Sequence, residues 1–155
     1  MTAMKNYEEL DEVIRTLYEC MSFASSELPD YQRCKTLFCR GASVIPPSDD
    51  SIPASAISVD EFFETSRIAI ESSHELQSRG LSETEIYRRV HEFGSVAQVF
   101  STYESRVEFS DHESVGRGVN SISLVFQDSR WWILSLSWDD ESPELQVPAQ
   151  LLPSS

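Results

Sequence analysis

The chain has 155 residues, of which 40% are hydrophobic and 10% aromatic, and its formal net charge is −14. These values are typical of one globular domain with a substantial core. The charge argues against nucleic acid and anionic membrane surfaces as partners, because both are bound through clustered lysines and arginines. No apolar run approaches the roughly 20 residues that a membrane-spanning helix needs.

The N-terminus and the cysteines bear on where the protein works. The first residues, MTAMKNYEELDE, lack the basic and then apolar pattern of a secretory signal peptide. Cys20, Cys34 and Cys39 are odd in number and have no metal-site spacing, so we expect small, partly buried thiols in a reducing compartment. The sequence therefore predicts a cytoplasmic protein with no metal and no cofactor.

The first half of the chain has the apolar periodicity and the capping signals of helices. Gly41 is expected to end the second helix, and the capping box Ser58-Val-Asp-Glu61 to begin the third. The predicted elements are a helix over residues 6–23 with Asn6 as its cap, a helix over 30–38, a strand over 42–45 and a helix over 58–73.

The second half alternates in hydrophobicity with the two-residue period of strands. Residues 77–83 are predicted to form a turn and residues 108–115 a polar loop. The predicted strands cover residues 85–92, residues 96–107 and the two arms of a long hairpin within residues 116–141.

The long hairpin is expected to have one large apolar face, which the helices would cover. That face is predicted to carry Asn120, Ile122, Leu124, Phe126, Trp132, Leu134, Leu136 and Trp138. The opposite face mixes serines with Val125, Trp131 and Ile133, and it is either solvated or packed against a second sheet. Packing is favoured because these three side chains would otherwise be exposed together, so we expect a homodimer through this sheet face.

Helices and antiparallel strands are segregated along the sequence, which indicates an α+β fold. We expect three N-terminal helices packed on a curved antiparallel sheet, with a pocket at the open end of the resulting cone. Residues 1–141 are predicted to form this single domain. Residues 142–155 contain three prolines, cannot continue a central strand, and are predicted to be an extended arm.

Three segments resemble a known superfamily. They are DYQRCKTLFCRGASVIPP (Asp30–Pro47), EIYRRVHEFGSVAQVFSTYESR (Glu85–Arg106) and RGVNSISLVFQDSRWWILSLSWDDE (Arg117–Glu141). The resemblance is to a bacterial subgroup of unknown function in the nuclear transport factor 2-like superfamily, with its SnoaL-like and ketosteroid-isomerase-like members. It implies a cystatin-like cone with a mixed sheet. Because the superfamily includes isomerases, dehydratases, hydrolases and non-catalytic association domains, it does not choose a function.

The ketosteroid isomerase chemistry of that superfamily can be tested against this sequence. The reaction uses one carboxylate as base, with a tyrosine and a neutral acid as oxyanion donors. The resemblance places Tyr18 at the donor tyrosine, but it places Pro46 at the base and Ile122 at the acid. Neither Pro46 nor Ile122 can carry a proton for this purpose, so the isomerase chemistry is not expected here.

The candidate ligand-binding residues are Tyr18, Arg89, His91, Tyr103, Asn120 and Trp138. Arg89 and His91 share a strand face that points either into the pocket or outward. Tyr103 either projects its phenol into the pocket or fills the core. Asn120 either satisfies a loop backbone or holds a ligand, and Trp138 either walls the pocket or packs in the core.

The sequence therefore predicts a homodimer whose pocket binds a small, partly apolar molecule, without a recognisable catalytic set. One alternative is an enzyme of the isomerase, dehydratase or hydrolase type that uses His91 or Tyr103 with Arg89. Another is a dimerising association module with the C-terminal segment as an arm. Asp139, Asp140 and Glu141 are interpreted as a solvated strand end.

Overall fold

The helices lie in the first half of the chain, and the long strands lie in the second. The computed structural model describes residues 3–109 and 111–154. Its elements are α1 (Ala3–Met21), α2 (Tyr31–Lys35), β1 (Phe38–Ile45), β2 (Ile57–Ser58), α3 (Val59–Ser72), α4 (His74–Arg79), β3 (Ser82–Phe93), β4 (Val96–Glu108), β5 (Glu113–Gln127), β6 (Arg130–Asp140) and a 3₁₀ turn at Ala149–Leu151.

The strands form one six-stranded, curved sheet in the order β2-β1-β6-β5-β4-β3. Strands β1 and β6 are parallel and the other neighbours are antiparallel, so the sheet is mixed. Helix α1 packs on one face, called here the inner face, and the opposite face is the outer face. Leu10, Ile14 and Leu17 of α1 form one buried core with Val99 and Ile122 of the sheet.

Helix boundaries differ from the prediction at three places in the described part of the chain. Helix α1 begins at Ala3, and the cap expected at Asn6 concerns a side chain outside the described ones. Helix α2 ends at Lys35, and β1 runs through Gly41 instead of starting after it. Gly41 has a φ of +78° and lies where the register with β6 shifts, so it forms a bulge in a strand and does not end a helix.

Two segments predicted to be irregular are regular. Residues 74–79 form α4, although residues 77–83 were predicted to be a turn, because the Ser73 hydroxyl accepts a hydrogen bond from Leu76 N and Gly80 ends the helix at a φ of +78°. The described residues thus contain four α-helices, one more than predicted. Strand β5 already begins at Glu113, opposite Glu108, within the predicted loop.

The predicted faces of the second hairpin arm are wrong near its start. Ser123 pairs with Ser135 but Leu124 pairs with Ile133, so Leu134 is an extra residue in β6. This bulge turns Trp131 and Ile133 to the inner face, where both are fully buried, and leaves Leu134 about half exposed. The argument for dimerisation that used exposed Trp131 and Ile133 therefore fails.

The cysteines also differ from the prediction. Cys20 at the end of α1 and Cys34 in α2 form a disulfide, with their Cα atoms 5.6 Å apart, and Cys39 is the free thiol. Three free thiols were expected, because sequence cannot show that the 14-residue separation brings α1 and α2 together. The cysteines therefore no longer argue for a reducing compartment, and the cytoplasmic location stays a prediction.

The C-terminal segment returns across the outer face of the sheet. Thr102 Oγ1 donates a hydrogen bond of 2.6 Å to the carbonyl oxygen of Leu151 in the 3₁₀ turn. Ser142 and Leu145 form a tight bridge that starts this path. Thr102 is fully buried as a result, although it points away from the core. The predicted free extended arm is thus folded back against the sheet over the described residues.

Candidate functional site

A cavity of about 270 Å³ lies between α1, α3 and the inner face of the sheet. Its apolar wall includes Leu17, Met21, Phe38, Phe62, Phe63 and Trp138. Its polar groups belong to Tyr18, Glu83, Tyr103, Ser105, Asn120 and Asp140. The combination of an apolar wall with a few convergent polar groups is typical of small-molecule sites.

Aromatic rings form the side of the cavity that α3 covers. The rings of Phe62 and Trp138 lie 5.5 Å apart at 59°, and the rings of Phe38 and Phe63 lie 6.2 Å apart and nearly perpendicular. Phe62 and Phe63 project from α3 because Ser58 caps this helix, accepting a hydrogen bond from Glu61 N as the sequence predicted. The wall is therefore held by a capped helix against β1 and β6.

A chain of hydrogen bonds crosses the cavity floor. Asn120 Nδ2 donates to Tyr18 Oη at 2.9 Å, and Tyr18 Oη lies 2.7 Å from Ser101 Oγ. Ser101 Oγ in turn donates to Glu85, which is ion-paired with Arg88. A paired carboxylate only accepts, so the Ser101 proton points to Glu85 and the Tyr18 phenol must donate to Ser101.

The donor and acceptor directions of these hydrogen bonds limit how Tyr18 can bind a ligand. Burial raises the pKa of Tyr18, and the hydrogen bonds with Ser101 and Asn120 oppose that rise. Its phenol is therefore neutral and its proton is already committed to Ser101. Tyr18 can offer a ligand only its oxygen as an acceptor, while Asn120 makes one hydrogen bond through its amide nitrogen among the described residues.

Tyr103 and Asp140 form a second polar pair, nearer the mouth of the cavity. Tyr103 Oη donates a hydrogen bond to Asp140 Oδ1. Burial and then the interaction with Asp140 raise the pKa of Tyr103, so this phenol is also neutral. Gly118 lies opposite Tyr103 in the sheet, and a Cβ at Gly118 would lie 2.5 Å from Tyr103 Cζ. The glycine thus provides the space for the ring.

Glu83 is a charged group of the cavity lining whose side chain has no partner among the described residues. Its side chain makes no hydrogen bond or ion pair with the described residues, and its carboxyl group lies among protein atoms although part of the residue reaches solvent. Its backbone is fixed by α1, because Ser22 Oγ accepts from Glu83 N at 2.9 Å and donates to Tyr18 O at 2.9 Å. Burial raises the pKa of Glu83 to about 7, and the negative charge of Asp140 adds to the rise.

These groups give the cavity defined chemical abilities. Glu83 changes its charge near neutral pH, which suits a group that accepts or gives a proton. Asn120 and the Tyr18 oxygen can hold a polar atom of a ligand, and the aromatic wall can bury its apolar part. The cavity lining contains carboxylates but no lysine, arginine or histidine. No group of three or more potential metal-ligating side chains occurs among the described residues.

Four of the six predicted site residues meet in this cavity. Tyr18, Tyr103, Asn120 and Trp138 all line it. For Asn120 the structure gives a side-chain partner, Tyr18, where a loop backbone had been considered. Both roles considered for Trp138 apply, since its ring lines the cavity and also packs on Phe62.

Arg89 and His91 do not line the cavity, and of the two orientations considered for their strand face the structure has the outward one. Both are exposed on the outer face, in a recess with Phe100 and Leu151. The cause is a register shift between Glu85 and Tyr87, which puts one extra residue in β3. Of the adjacent pair of arginines, it is Arg88 that shares the inner face, and it is bound to Glu85 and Asp11.

Glu83 and Asp140 were not identified from the sequence. Glu83 was placed at the end of a turn, whereas β3 already begins at Ser82. Asp140 was interpreted as solvated, although strand alternation places it on the same face as Trp138. That alternation is the signal that could have found Asp140. Glu83 could have been identified as a site residue only if the start of β3 had been known.

Comparison of the structure with solved structures identifies the fold. A protein of unknown function with a cystatin-like fold from Nostoc punctiforme superimposes with a TM-score of 0.65 at 10% identity, covering 90% of this chain and 92% of that one. The chain has the nuclear transport factor 2-like fold. A nuclear transport factor 2-like protein of unknown function from Silicibacter pomeroyi gives a TM-score of 0.56 at 14% identity, covering 91% and 100%.

The nuclear transport factor 2-like fold is also shared with an assembly domain. The hub of the calcium/calmodulin-dependent kinase II of S. rosetta gives a TM-score of 0.57 at 13% identity, covering 89% of this chain and 95% of that one. No family model matches this chain. No curated protein sequence matches it either. None of the helices in the described residues has the length and apolar character of a membrane span.

Proposed function

We propose that this protein binds a small, partly apolar molecule in the cavity between α1, α3 and the inner face. One observation carries the proposal: Asn120, Tyr18 and Glu83 converge on a half-open space whose wall is largely aromatic and aliphatic. The polar groups would orient the ligand, and the wall would bury its carbon skeleton. At about 270 Å³ the cavity suits a ligand with a single ring or a short chain.

Filling the cavity tests this proposal. Ser105 lines the cavity, so Ser105→Trp would occupy it, whereas Ser55→Trp introduces the same side chain in an exposed loop. Native mass spectrometry of the purified protein, and thermal shifts with small aromatic alcohols, would then compare the two variants. We expect ligand retention and thermal shifts to persist in Ser55→Trp and to be lost in Ser105→Trp. Equal responses in the two variants would contradict the proposal.

A second candidate function is proton transfer on the bound molecule. Glu83, a carboxyl group whose pKa is about 7, favours it, because a general base works best when its pKa lies near the working pH. In this version Glu83 takes the role that the sequence assigned to His91 with Arg89. Tyr103 already donates its proton to Asp140, so its oxygen could only accept a hydrogen bond from the bound molecule.

Hydrogen exchange of a ketone tests this candidate. The α-protons of acetophenone in D₂O can be followed by NMR with the wild type, Glu83→Gln and Glu104→Gln. Glu104 is ion-paired with Arg106 and does not line the cavity, so it controls for the change in net charge. A base at Glu83 predicts that exchange falls about 10²- to 10⁴-fold in Glu83→Gln only. Equal rates in all three proteins would remove the candidate.

We also propose that two copies associate through the outer face of the sheet. The support is a group of exposed apolar side chains at one end of that face: Phe93, Val96, Phe100 and Leu134. The hub-domain neighbour adds support, since its fold serves assembly in that protein. Such a patch is unusual on a monomer. In this arrangement residues 1–141 form the associating domain, and residues 142–155 flank the interface.

Sedimentation measurements test the association. Leu134→Glu places a charge inside the exposed patch, and Ile68→Glu places the same charge on an equally exposed position of α3. We expect Leu134→Glu to shift the mass toward the monomer and Ile68→Glu to leave it unchanged. A wild-type protein that is monomeric at high micromolar concentration would contradict association.

A further inference from the structure

The charges around the cavity are all of one sign. Glu83 and Asp140 line it, and no cationic side chain does. The arginines on neighbouring strands are already paired, since Arg88 binds Glu85 and Asp11, and Arg117 binds Glu141. Within the described residues, no cationic side chain lines the cavity together with its two carboxylates.

Glu83 is the group that most needs a positive partner. A half-buried carboxylate without hydrogen bonds or an ion pair is unfavourable, and a second carboxylate nearby adds repulsion. Ser22 fixes the backbone of Glu83 at this point of the strand, through the bond between Ser22 Oγ and Glu83 N. Asp140 uses one oxygen for Tyr103, which leaves its other oxygen able to accept from a ligand.

The opposite wall of the cavity is also suited to a cation. Phe62 and Trp138 are tilted against each other and line the space, together with Phe38 and Phe63. The faces of aromatic rings attract ammonium groups, and this attraction is stronger where water is excluded. A neutral ligand could offer Glu83 only a hydrogen bond, and an anionic ligand would add repulsion, whereas a cation would also neutralise the charge.

We propose that the natural ligand of the cavity is a small organic ammonium compound, with its charged nitrogen at Glu83 and Asp140 and its apolar part against Phe62 and Trp138. This inference rests on the proposed binding function and specifies its ligand class. Asn120 and the Tyr18 oxygen lie further along the floor and would accept or donate to a second polar group, if the ligand has one.

Three probes of nearly the same shape test the charge. They are 2-phenylethylamine, 2-phenylethanol and phenylacetate, which carry a positive, a neutral and a negative group on one phenyl skeleton. Calorimetric titrations at pH 8 are expected to show the amine binding at least about tenfold tighter than the alcohol, and the carboxylate binding weakest. The neutral alcohol reports on the cavity alone, and the difference between amine and alcohol reports on the charge.

Two variants test whether Glu83 causes the preference for the amine. Glu83→Gln is expected to weaken binding of the amine about tenfold and binding of the alcohol by much less, whereas Glu104→Gln, with the same change in net charge, leaves the binding of both unchanged. Alcohol binding as tight as amine binding would overturn the ammonium inference while the binding function stands. Equal losses of amine affinity in Glu83→Gln and Glu104→Gln would also overturn it, since the preference for the amine would then come from the overall negative charge of the protein. No binding of any probe at millimolar concentration would overturn both the inference and the proposed function.

Discussion

Gly118 lies directly opposite Tyr103 in the antiparallel pair of β4 and β5, and its missing side chain leaves the space that the tyrosine ring occupies. A Cβ at this position would lie 2.5 Å from Tyr103 Cζ and 2.6 Å from the backbone oxygen of Asp139. Real Cβ atoms do not approach so closely, so any other residue must displace the ring.

Gly118→Ala is therefore expected to move Tyr103 and break its hydrogen bond to Asp140. Overpacking of this kind costs about 1–3 kcal/mol of unfolding free energy. Gly116→Ala is the matched control on the same strand, because its Cβ would meet only the flexible Ser105 hydroxyl at 3.1 Å. Urea denaturation of both variants measures the difference, and equal stabilities would contradict this account of Gly118.

Glu83→Gln should stabilise the fold at alkaline pH. The pKa of Glu83 is raised from an ordinary value of 4.5 to about 7 in the folded state, so the folded protein holds this proton more tightly than the unfolded chain. The stability that this site contributes is complete below pH 4.5 and is lost as the pH rises through 7. Glutamine does not ionise, so the variant escapes this loss.

The expected gain for Glu83→Gln at pH 8 is about 1–2 kcal/mol, reduced from the full shift because the side chain is partly exposed. The gain should shrink to near zero at pH 4.5, and Glu104→Gln should show no such pH dependence. Denaturation series at several pH values measure it. A gain that is the same at pH 4.5 and pH 8 would show that ionisation of Glu83 is not its cause.

Tyr18→Phe should destabilise the protein through the hydrogen-bond chain of the cavity floor. Without the phenol oxygen, the amide of Asn120 loses its acceptor and Ser101 loses its donor, both in buried positions. Leaving such groups unpaired costs about 1–3 kcal/mol. Tyr31→Phe is the control, because the bond from Tyr31 to Ser66 at 2.8 Å is only partly buried. If the two variants lose the same free energy of unfolding, the buried hydrogen bonds of Tyr18 contribute no more to stability than the partly buried bond of Tyr31.

Removing the bond between Cys20 and Cys34 should lower the stability by about 2–4 kcal/mol, the usual effect of a disulfide that closes a loop of about this length. The double variant Cys20→Ala and Cys34→Ala should show this loss, and Cys39→Ala should show little. Thiol titration of the unfolded, unreduced protein should count one free thiol. A count of three would mean that the pair is reduced, and the loss on substitution would then reflect packing alone.

The sequence predicted a helix or strand correctly where capping residues or hydrophobic alternation within that segment determine it. The Ser58 cap begins α3 as expected, and alternation in β5 places Asn120, Ile122 and Leu124 on the inner face. The exceptions are single extra residues in strands. Leu134 in β6 and the shift between Glu85 and Tyr87 in β3 each reverse which side chains point inward.

Those two bulges explain most of what the sequence could not give of the site. A bulge depends on pairing with a neighbouring strand, and alternation along one strand does not reveal it. The bulge in β3 moved Arg89 and His91 to the outer face, and the bulge in β6 buried Trp131 and Ile133. The disulfide has the same origin, because only the packing of α1 against α2 brings Cys20 to Cys34.

The measurement that tests the central claim most directly is an amide chemical-shift titration of the isotope-labelled protein with 2-phenylethanol. This neutral probe tests the cavity without relying on charge. The account predicts that the shifts concentrate at residues 17–22, 83, 103–105, 118–120 and 136–140, around the cavity, and disappear in Ser105→Trp but not in Ser55→Trp. Shifts confined to residues 89–100 of the outer face, or no shifts at millimolar probe, would contradict it.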